Sequence, residues 1–312
     1  MLTNFLTVAE QVVVLFLLIG VGALCAKTGI IKEVAIKSCS DLVLIVVTPC
    51  VIIQSFQRPF DAAMLKGLGL ACLIALSIHI VTILLAHLLL HDPVAARERV
   101  LRVGAVLSNA GFMSLPLQNA LLGEDGVFYG AAYVAIFNLI LWSYGLVEMS
   151  GSRQNLSPRK LILNPGVLSL AIGLMLFLAR ITLPTVLASP MGHLAALNTP
   201  LPMLIIGFYL ADTDLKAALR DWRSYAAIGL RLLVVPLTAL GILYLCGVRG
   251  TLLVSMIIAA SAPVAASTTM FATKYDCDTG LSVNLVSLST LLSLITMALI
   301  VALAQVIASH IL

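Results

Sequence analysis

The amino-acid sequence predicts an all-α integral membrane protein with ten transmembrane helices. Three observations support this fold class: 61% of the 312 residues are hydrophobic, only 10% are charged, and the mean hydropathy is +1.11. The apolar runs extend over about 15 to 25 residues, which suits helical spans of roughly 20 residues and is too long for the alternating strands of a membrane β-barrel. Short loops between these runs leave no room for a large soluble domain.

Ten apolar runs between polar breaks predict the individual spans. They cover residues 6–26, 34–54, 63–86, 99–121, 126–147, 161–179, 193–212, 223–245, 251–271 and 281–308. Basic residues predict the orientation, because loops rich in lysine and arginine stay in the cytoplasm. Thirteen of the 18 lysines and arginines fall in one set of alternate loops and four in the other. We therefore expect a multi-pass protein of the inner (plasma) membrane with both termini outside.

The longest polar connector, residues 150–160, divides the chain into two halves of five spans each. The halves are residues 1–149 and 161–312, and the connector is predicted to be a cytoplasmic linker. Because five is odd, two similar halves must have opposite orientations in the membrane, which is the inverted repeat typical of secondary transporters. A shift of 147 residues gives faint support, since it places Ser114 on Ser261 and Pro116 on Pro263.

Spans four and nine are unusually polar and contain helix breakers. Span four includes the stretch SNAGFMSLPLQN from Ser108 to Asn119, and span nine includes Ser261-Ala262-Pro263. Proline removes a backbone donor and glycine lowers the cost of leaving helical geometry, so both helices are expected to unwind here. Non-helical backbone inside a membrane must be buried in protein or line a wet cavity. The two breaks therefore indicate a central binding site.

The two prolines suggest what this site binds. Proline suits the first turn of a helix, so Pro116 and Pro263 are expected to open the second half-helices of spans four and nine. The amino end of each half-helix has unpaired N–H groups and about half a positive charge, which together attract an anion such as a carboxylate. The alternative is that both prolines only kink packed helices.

Three further polar residues lie inside predicted spans. Asn138, near the middle of span five, must find hydrogen-bond partners on a substrate or on a neighbouring helix. Arg231, in span eight, is too deep to reach the nearer membrane surface, and a substrate carboxylate, an acidic side chain or exposed carbonyls would each satisfy it. His79, in span three, is interpreted as a helix-packing residue rather than a proton carrier.

No pattern in the sequence indicates an enzyme. The spacings HExxH, GxSxG and GxxxxGK[ST] are absent, so we expect neither catalytic residues nor ATP-driven pumping. The acidic pairs Asp212/Asp214 and Asp276/Asp278 fall in predicted cytoplasmic loops beside lysines, and we interpret them as solvated loop charge. We therefore predict no metal ion and no cofactor.

The basic residues are scattered and the net charge is only +4, which argues against a nucleic-acid partner.

Two separate stretches carry a family resemblance. The first comprises Ser108–Phe112, Leu115–Leu117, Gly123, Gly126, Tyr129, Asn138, Trp142 and Gly145. The second comprises Ala262–Ala265, Ala272, Tyr275, Asp278 and Ser287–Ser293. Together they resemble the auxin efflux carrier family of membrane transporters, and the resemblance covers essentially the whole chain.

The resemblance implies ten helices as two inverted five-helix repeats in which broken helices 4 and 9 cross. It also implies a scaffold of helices 1, 2, 6 and 7 and a transport unit of helices 3 to 5 and 8 to 10, which move past each other in elevator-type alternating access. The family includes plant auxin exporters and bacterial permeases for small organic acids such as malonate, and the short connector resembles the bacterial type. Met113 and Ser114 stand where relatives often have a second small residue such as glycine, which leaves the size of the substrate open.

Pattern and resemblance together predict a secondary active or facilitated transporter of a small organic anion, such as a malonate-like or auxin-like carboxylate. The residues expected around the substrate are Asn109, Ser114, Pro116, Asn119, Asn138, Arg231, Ser261 and Pro263. The expected partners are a small organic acid and the lipid bilayer, and the sequence leaves open proton or sodium coupling and a homodimer. The alternatives are a sodium-coupled symporter of the bile-acid type and a transmembrane sensor that binds a ligand without moving it.

Overall fold

The computed structural model describes residues 2–152, 154, 156, 159, 162–211 and 221–309, with only the backbone of residues 2–9 and 309. Within these ranges the regular structure is helical. The first half of the chain forms α1 (Leu2–Lys27), α2 (Glu33–Leu42), α3 (Thr48–Ser55), α4 (Ala62–Leu89), α5 (Ala95–Val106), α6 (Leu115–Ile140) and α7 (Leu146–Ser150). The second half forms α8 (Pro165–Leu178), α9 (Thr185–Ala196), α10 (Pro200–Ala211), α11 (Trp222–Gly229), α12 (Val235–Leu245), α13 (Gly250–Ser261), α14 (Ser267–Lys274) and α15 (Thr279–Ser309).

Seven helical stretches in the described part of the chain are long and apolar enough to cross a membrane. They are Glu10–Lys27, Glu33–Ser55, Ala62–Leu89, Ala110–Ser150, Thr185–Ala211, Trp222–Leu245 and Thr279–Ala308. The helices α8 and α13 are apolar but shorter. These lengths and compositions agree with the predicted all-α integral membrane class, while ten spans in an inverted repeat stay a prediction.

The stretch Ala110–Ser150 has 41 residues, about twice the length of one span, and it is interrupted about a third of the way along. Gly123 has φ 63° and ψ −153°, a combination that only glycine adopts without strain. Beside this kink, Arg58 from the loop before α4 forms ion pairs with Asp125 and Glu124. The loop that the sequence predicts between residues 121 and 126 therefore coincides with a break in helical geometry.

Three prolines each follow a π-helical turn. The turns are Val43–Val47, Ala110–Ser114 and Leu230–Val234, and the prolines are Pro49, Pro116 and Pro236. Proline has no N–H, and its ring clashes with the carbonyl four residues earlier, so one wider turn accommodates it without ending the helix. At these positions proline marks a bulge in a continuing helix rather than a helix start.

The helices pack in two groups. In the first group, α1 and α2 pack against α10, and α3 packs against α8 and α9. In the second group, α6 packs against α4 and α13, and α13 packs against α12 and α15. The groups meet where α6 contacts α3 and α8 and where α1 contacts α15. The division into a scaffold and a transport unit that the family resemblance implies stays a prediction.

Ion pairs join loops that the sequence assigns to the same side of the membrane. Arg97, in the first turn of α5, pairs with Asp221 and, at 3.0 Å, with Asp278, and all three belong to loop regions predicted to be cytoplasmic. Arg58 pairs with Asp125 between two loops predicted to be outside. These ion pairs place the joined loops on the same side of the helix bundle, and which side faces the cytoplasm stays a prediction.

Of the two acidic pairs that could have formed a metal site, the structure describes one. Asp212 and Asp214 lie outside the described residues, as do residues 153, 155, 157, 158 and 160 of the predicted linker. Asp278 accepts the N–H of Leu281 over 2.8 Å at the start of α15 and also pairs with Arg97. Across the described ranges, no three histidine, cysteine or acidic side chains are grouped so that they could hold a metal ion.

Candidate functional site

Two helices in the middle of the second group are interrupted. The helix α5 ends at Val106, and the chain becomes helical again at Ala110. The helix α13 ends at Ser261, and α14 begins at Ser267. Both interruptions fall inside the two spans that the sequence predicts to be broken.

The two interrupted segments cross each other and exchange backbone hydrogen bonds. The N–H of Asn109 donates to the carbonyl of Pro263 over 2.8 Å, and the N–H of Ala265 donates to the carbonyl of Leu107 over 2.9 Å. These bonds surround an isolated antiparallel β-bridge. Backbone N–H and C=O groups in the interrupted segments have no partners within a helix and would be costly to bury unpaired. Each segment therefore supplies hydrogen-bond partners for the other.

Pro116 and Pro263 do not open the half-helices, and that prediction was wrong. The first restart is at Ala110, six residues before Pro116, which instead follows the π turn of this restart. Pro263 lies within the extended segment, and α14 begins four residues after it. The helices end at Val106 and Ser261, an offset of 155 residues, so the shift of 147 that superimposes the prolines does not superimpose the breaks.

A small cavity of about 20 Å³ lies beside the crossing, and residues next to both restarts line it. Its walls are Asn109, Phe112, Ile205, Ile206, Tyr209, Leu210, Ala266, Val286, Ser287 and Thr290. Asn109 directly precedes the helical restart at Ala110, and Ala266 directly precedes α14. The wall opposite the crossing is α10, which belongs to the first helix group. None of these ten lining residues carries a formal charge.

Four polar side-chain atoms at the breaks have no hydrogen-bond partner within the described part of the chain. They are Asn109 Nδ2, Ser108 Oγ, Ser267 Oγ and Thr268 Oγ1. Asn109 is only 5% exposed, and Ser108 and Thr268 are fully buried. An unpaired buried polar group costs about 1–3 kcal/mol, so such groups are uncommon. Their grouping at the two helix restarts indicates a site for a polar ligand.

Ser114 and Ser261, both predicted near the substrate, are buried close to the crossing. The hydroxyl of Ser114 donates to the carbonyl of Ala110 over 2.7 Å, and that of Ser261 donates to the carbonyl of Ile257 over 2.7 Å. Each hydroxyl is thus used within its own helix, and neither residue lines the cavity.

Asn119 and Asn138 lie away from the cavity. Asn119 is exposed. The amide nitrogen of Asn138 donates to the carbonyl of Val134 over 2.8 Å. It also packs against Gly166 of α8, where an added Cβ would lie 2.5 Å from this nitrogen. Asn138 therefore sits at a contact between the two helix groups, which is the helix-bridging alternative for this residue.

Arg231 binds backbone carbonyls rather than facing the cavity. It is fully buried, and its Nη1 lies 3.3 Å from the carbonyl oxygen of Ala105 and 3.2 Å from that of Val106. Its Nη2 donates to the carbonyl of Ala260. Of the three kinds of partner that the sequence left open, exposed carbonyls are the ones observed. His79 is also buried and contacts a carbonyl of its own helix at 2.7 Å, in agreement with a packing role.

The sequence did not single out most of the cavity walls. Ile205, Ile206 and Leu210 come from the apolar face of α10, which looks like any membrane helix until its neighbour is known. Thr290 falls in the run Ser287–Ser293 that contributes to the family resemblance, and this run was the available signal.

A family model described as "Membrane transport protein" matches residues 7–301, nearly the whole chain. The chain belongs to this family. The match confirms the resemblance to auxin efflux carriers. An uncharacterized transporter of Methanothermobacter thermautotrophicus is 26% identical over 306 residues, covering 95% of this chain and 98% of the relative. An uncharacterized transporter of Methanocaldococcus jannaschii is 25% identical over 300 residues, covering 93% and 96%. Family membership supports a transporter that spans a lipid bilayer and moves a small molecule.

Proposed function

We propose that this transporter carries a small organic anion, with the anion bound where the two broken helices cross. The observation that carries the proposal is that Asn109 and Ala266, the residues directly before the two helix restarts, line the same cavity. The first residues of a helix have N–H groups without intrahelical acceptors and lie at the positive end of the helix dipole. Two such ends at one cavity favour a carboxylate over a cation.

A neutral donor completes the proposed site. Asn109 Nδ2 is unpaired at the cavity, while the unpaired hydroxyls of Ser267 and Thr268 belong to the two residues that follow Ala266 and do not line the cavity themselves. Because none of the ten described lining residues is a lysine or an arginine, an anion gains hydrogen bonds without a tight ion pair, which suits a site that must also release its ligand. Apolar walls such as Phe112 and Ile206 suit the hydrocarbon part of an organic acid.

The packing supports elevator-type alternating access. The cavity lies between α10, in the first helix group, and the crossing, in the second. Movement of the second group along the first would carry the crossing, and an anion bound to it, from one membrane surface to the other. Two inverted five-helix repeats in the inner membrane, with both termini outside, complete the proposal.

Counterflow in proteoliposomes tests this function. Purified protein is reconstituted and assayed with labelled monocarboxylates, dicarboxylates and an indole acid, with and without sodium and proton gradients. We expect saturable flux of one acid that excess unlabelled acid abolishes, and no flux of a neutral analogue such as its amide. Folded protein that moves none of these acids would overturn the proposal, and saturable binding without flux would favour the sensor alternative.

A further inference from the structure

Arg231 holds together the carboxyl ends of both interrupted helices. Its guanidinium contacts the carbonyls of Ala105 and Val106, at the end of α5, and of Ala260, at the end of α13. The last carbonyls of a helix have no intrahelical donor, and here both helices stop in the protein interior. Three carbonyl oxygens from two separate helices thus converge on one positive charge.

This arrangement of carbonyls is a cation site by its chemistry. Each helix end carries about half a negative charge, and carbonyl oxygens are good ligands for hard cations. In transporters with discontinuous helices, unwound carbonyls and half-helix carboxyl ends coordinate sodium ions or protons. No acidic side chain in the described ranges forms an ion pair with Arg231, so the carbonyl dipoles, together with the neighbouring Tyr133 side chain, stabilise its charge.

We propose that Arg231 is a tethered cation that occupies a monovalent-cation site formed by the two helix ends, and that its removal opens this site to sodium. The residue comes from the π turn Leu230–Val234 between α11 and α12, so a third helix supplies the charge to the crossing. A tethered cation is present in every molecule and needs no ion from solution. For the carrier proposed above, and resting on that function, anion transport then proceeds without sodium.

Thermal unfolding of the purified full chain in detergent tests the inference without any transport assay. Melting temperatures are compared in sodium chloride and in choline chloride of equal ionic strength, for the wild type, Arg231→Ala and Arg231→Lys. We expect the wild type to melt at the same temperature in both salts. We expect Arg231→Ala to melt several degrees lower in choline and to recover part of this loss saturably in sodium. Arg231→Lys retains a tethered charge and should stay insensitive to sodium.

Arg249→Ala is the matched control. Arg249 also donates through Nη1 to two carbonyls, those of Tyr244 at 2.9 Å and Val248 at 2.8 Å, but it lies in the loop before α13. Removing it should create no response to sodium, because water can replace a donor in a loop. A sodium response of the same size in Arg249→Ala would overturn the inference, since the response would then not be specific to the crossing.

Two further outcomes would contradict the tethered-cation role. The first is saturable stabilisation of the wild type by sodium, which would show that Arg231 does not occupy the cation site. The second is an Arg231→Ala variant that folds and ignores sodium. If Arg231→Ala does not fold, the wild-type titration and Arg231→Lys decide, and sodium dependence in either one refutes the inference. All these readouts are independent of whether the protein transports an acid.

Discussion

The backbone N–H of Asn109 donates to the carbonyl of Pro263 over 2.8 Å, although the two residues lie 154 positions apart in the sequence. This bond and its neighbour between Ala265 and Leu107 satisfy the backbone where both helices are interrupted. Because the crossing is built from backbone groups, the side chain of Asn109 is not needed to form it. Its amide nitrogen is buried beside the cavity and has no partner in the described part of the chain.

Asn109→Ala should reduce anion flux by about 10-fold to 100-fold and leave the protein folded. A hydrogen bond to a charged group contributes about 1.5–3 kcal/mol, which corresponds to this range. The backbone bonds of the crossing remain available to alanine, so stability should change little. Initial rates of uptake into proteoliposomes check the loss of flux, and the melting temperature of the same preparation checks that the protein stays folded.

Asn119→Ala is the matched control for this prediction. Asn119 lies ten residues further along and is exposed, so its removal should change neither flux nor stability. Equal loss of flux in both variants would show that the site extends beyond the cavity described above. Normal flux in Asn109→Ala would remove Asn109 from the proposed site.

Pro263→Ala should impair transport more than Pro116→Ala. Alanine at 263 adds an N–H to a buried extended segment, and an unpaired buried donor costs about 1–3 kcal/mol. At 116 the preceding π turn already accommodates proline, and alanine there can rejoin the helical hydrogen bonds. We expect about a tenfold loss of flux for Pro263→Ala and less than about a twofold change for Pro116→Ala. A larger loss of flux in Pro116→Ala than in Pro263→Ala would contradict this expectation and would indicate that Pro116 helps to form the binding site.

Sequence reasoning located both interrupted helices but not the residue at which each helix begins again. Polar residues, glycine and proline inside an apolar run are unfavourable in a lipid-facing helix, so the interruption itself is visible locally. Proline, however, is compatible with the first turn of a helix, with a position after a π turn and with extended backbone. The choice at Pro116 and Pro263 depends on contacts between segments far apart in the chain, which a single sequence does not contain.

The direction of polar side chains was likewise beyond the sequence. Asn109, Asn119 and Asn138 are chemically identical, yet one lines the cavity, one is exposed and one packs against α8. Arg231 required a partner by its depth alone, and only the folded chain shows that three carbonyls provide it. A buried polar group needs a hydrogen-bond partner, but tertiary packing determines which group becomes that partner.

Gly22→Ala should destabilise the contact between α1 and α10. An added Cβ at Gly22 would lie 2.4 Å from the backbone oxygen of Leu204, so the two helices would have to separate. Small residues permit this kind of close approach between membrane helices, and overpacking typically costs about 1–3 kcal/mol. Gly20→Ala, on the same helix, would meet nothing within 4 Å and should be neutral or slightly stabilising. Equal melting temperatures for the two variants would contradict this packing.

Arg97→Ala should weaken the network that joins three loops at the predicted cytoplasmic surface. Arg97 contacts Asp221, Asp278 at 3.0 Å and Asp92 at 3.4 Å, and the Asp92 side chain is only 1% exposed. Removing one partner of a buried pair leaves a charge without compensation, which is strongly destabilising. Arg223 stays 3.5 Å from Asp92, so we expect a loss of about 2 kcal/mol rather than the full cost.

Lys37→Ala provides the comparison for Arg97→Ala. Lys37 pairs with Glu33 at 2.8 Å, but both side chains are about two-thirds exposed, at 67% and 65%. Solvent screens exposed pairs of this kind, so they contribute little to stability and the melting temperature should hardly change. If both variants lost the same stability, the network around Arg97 would be no stronger than an ordinary surface pair.

Gly166→Ala and Asn138→Ala should compensate for each other. An alanine Cβ at 166 would lie 2.5 Å from the amide nitrogen of Asn138, so Gly166→Ala alone forces apart α6 and α8 at a contact between the two helix groups. Shortening Asn138 to alanine removes the atom that collides, and the double variant should recover most of the flux and stability lost by Gly166→Ala. Residues in direct contact show such coupling, whereas distant ones add independently. If Asn138 instead binds the substrate, Asn138→Ala alone abolishes flux and the double variant stays inactive, so flux of the double variant separates the two roles.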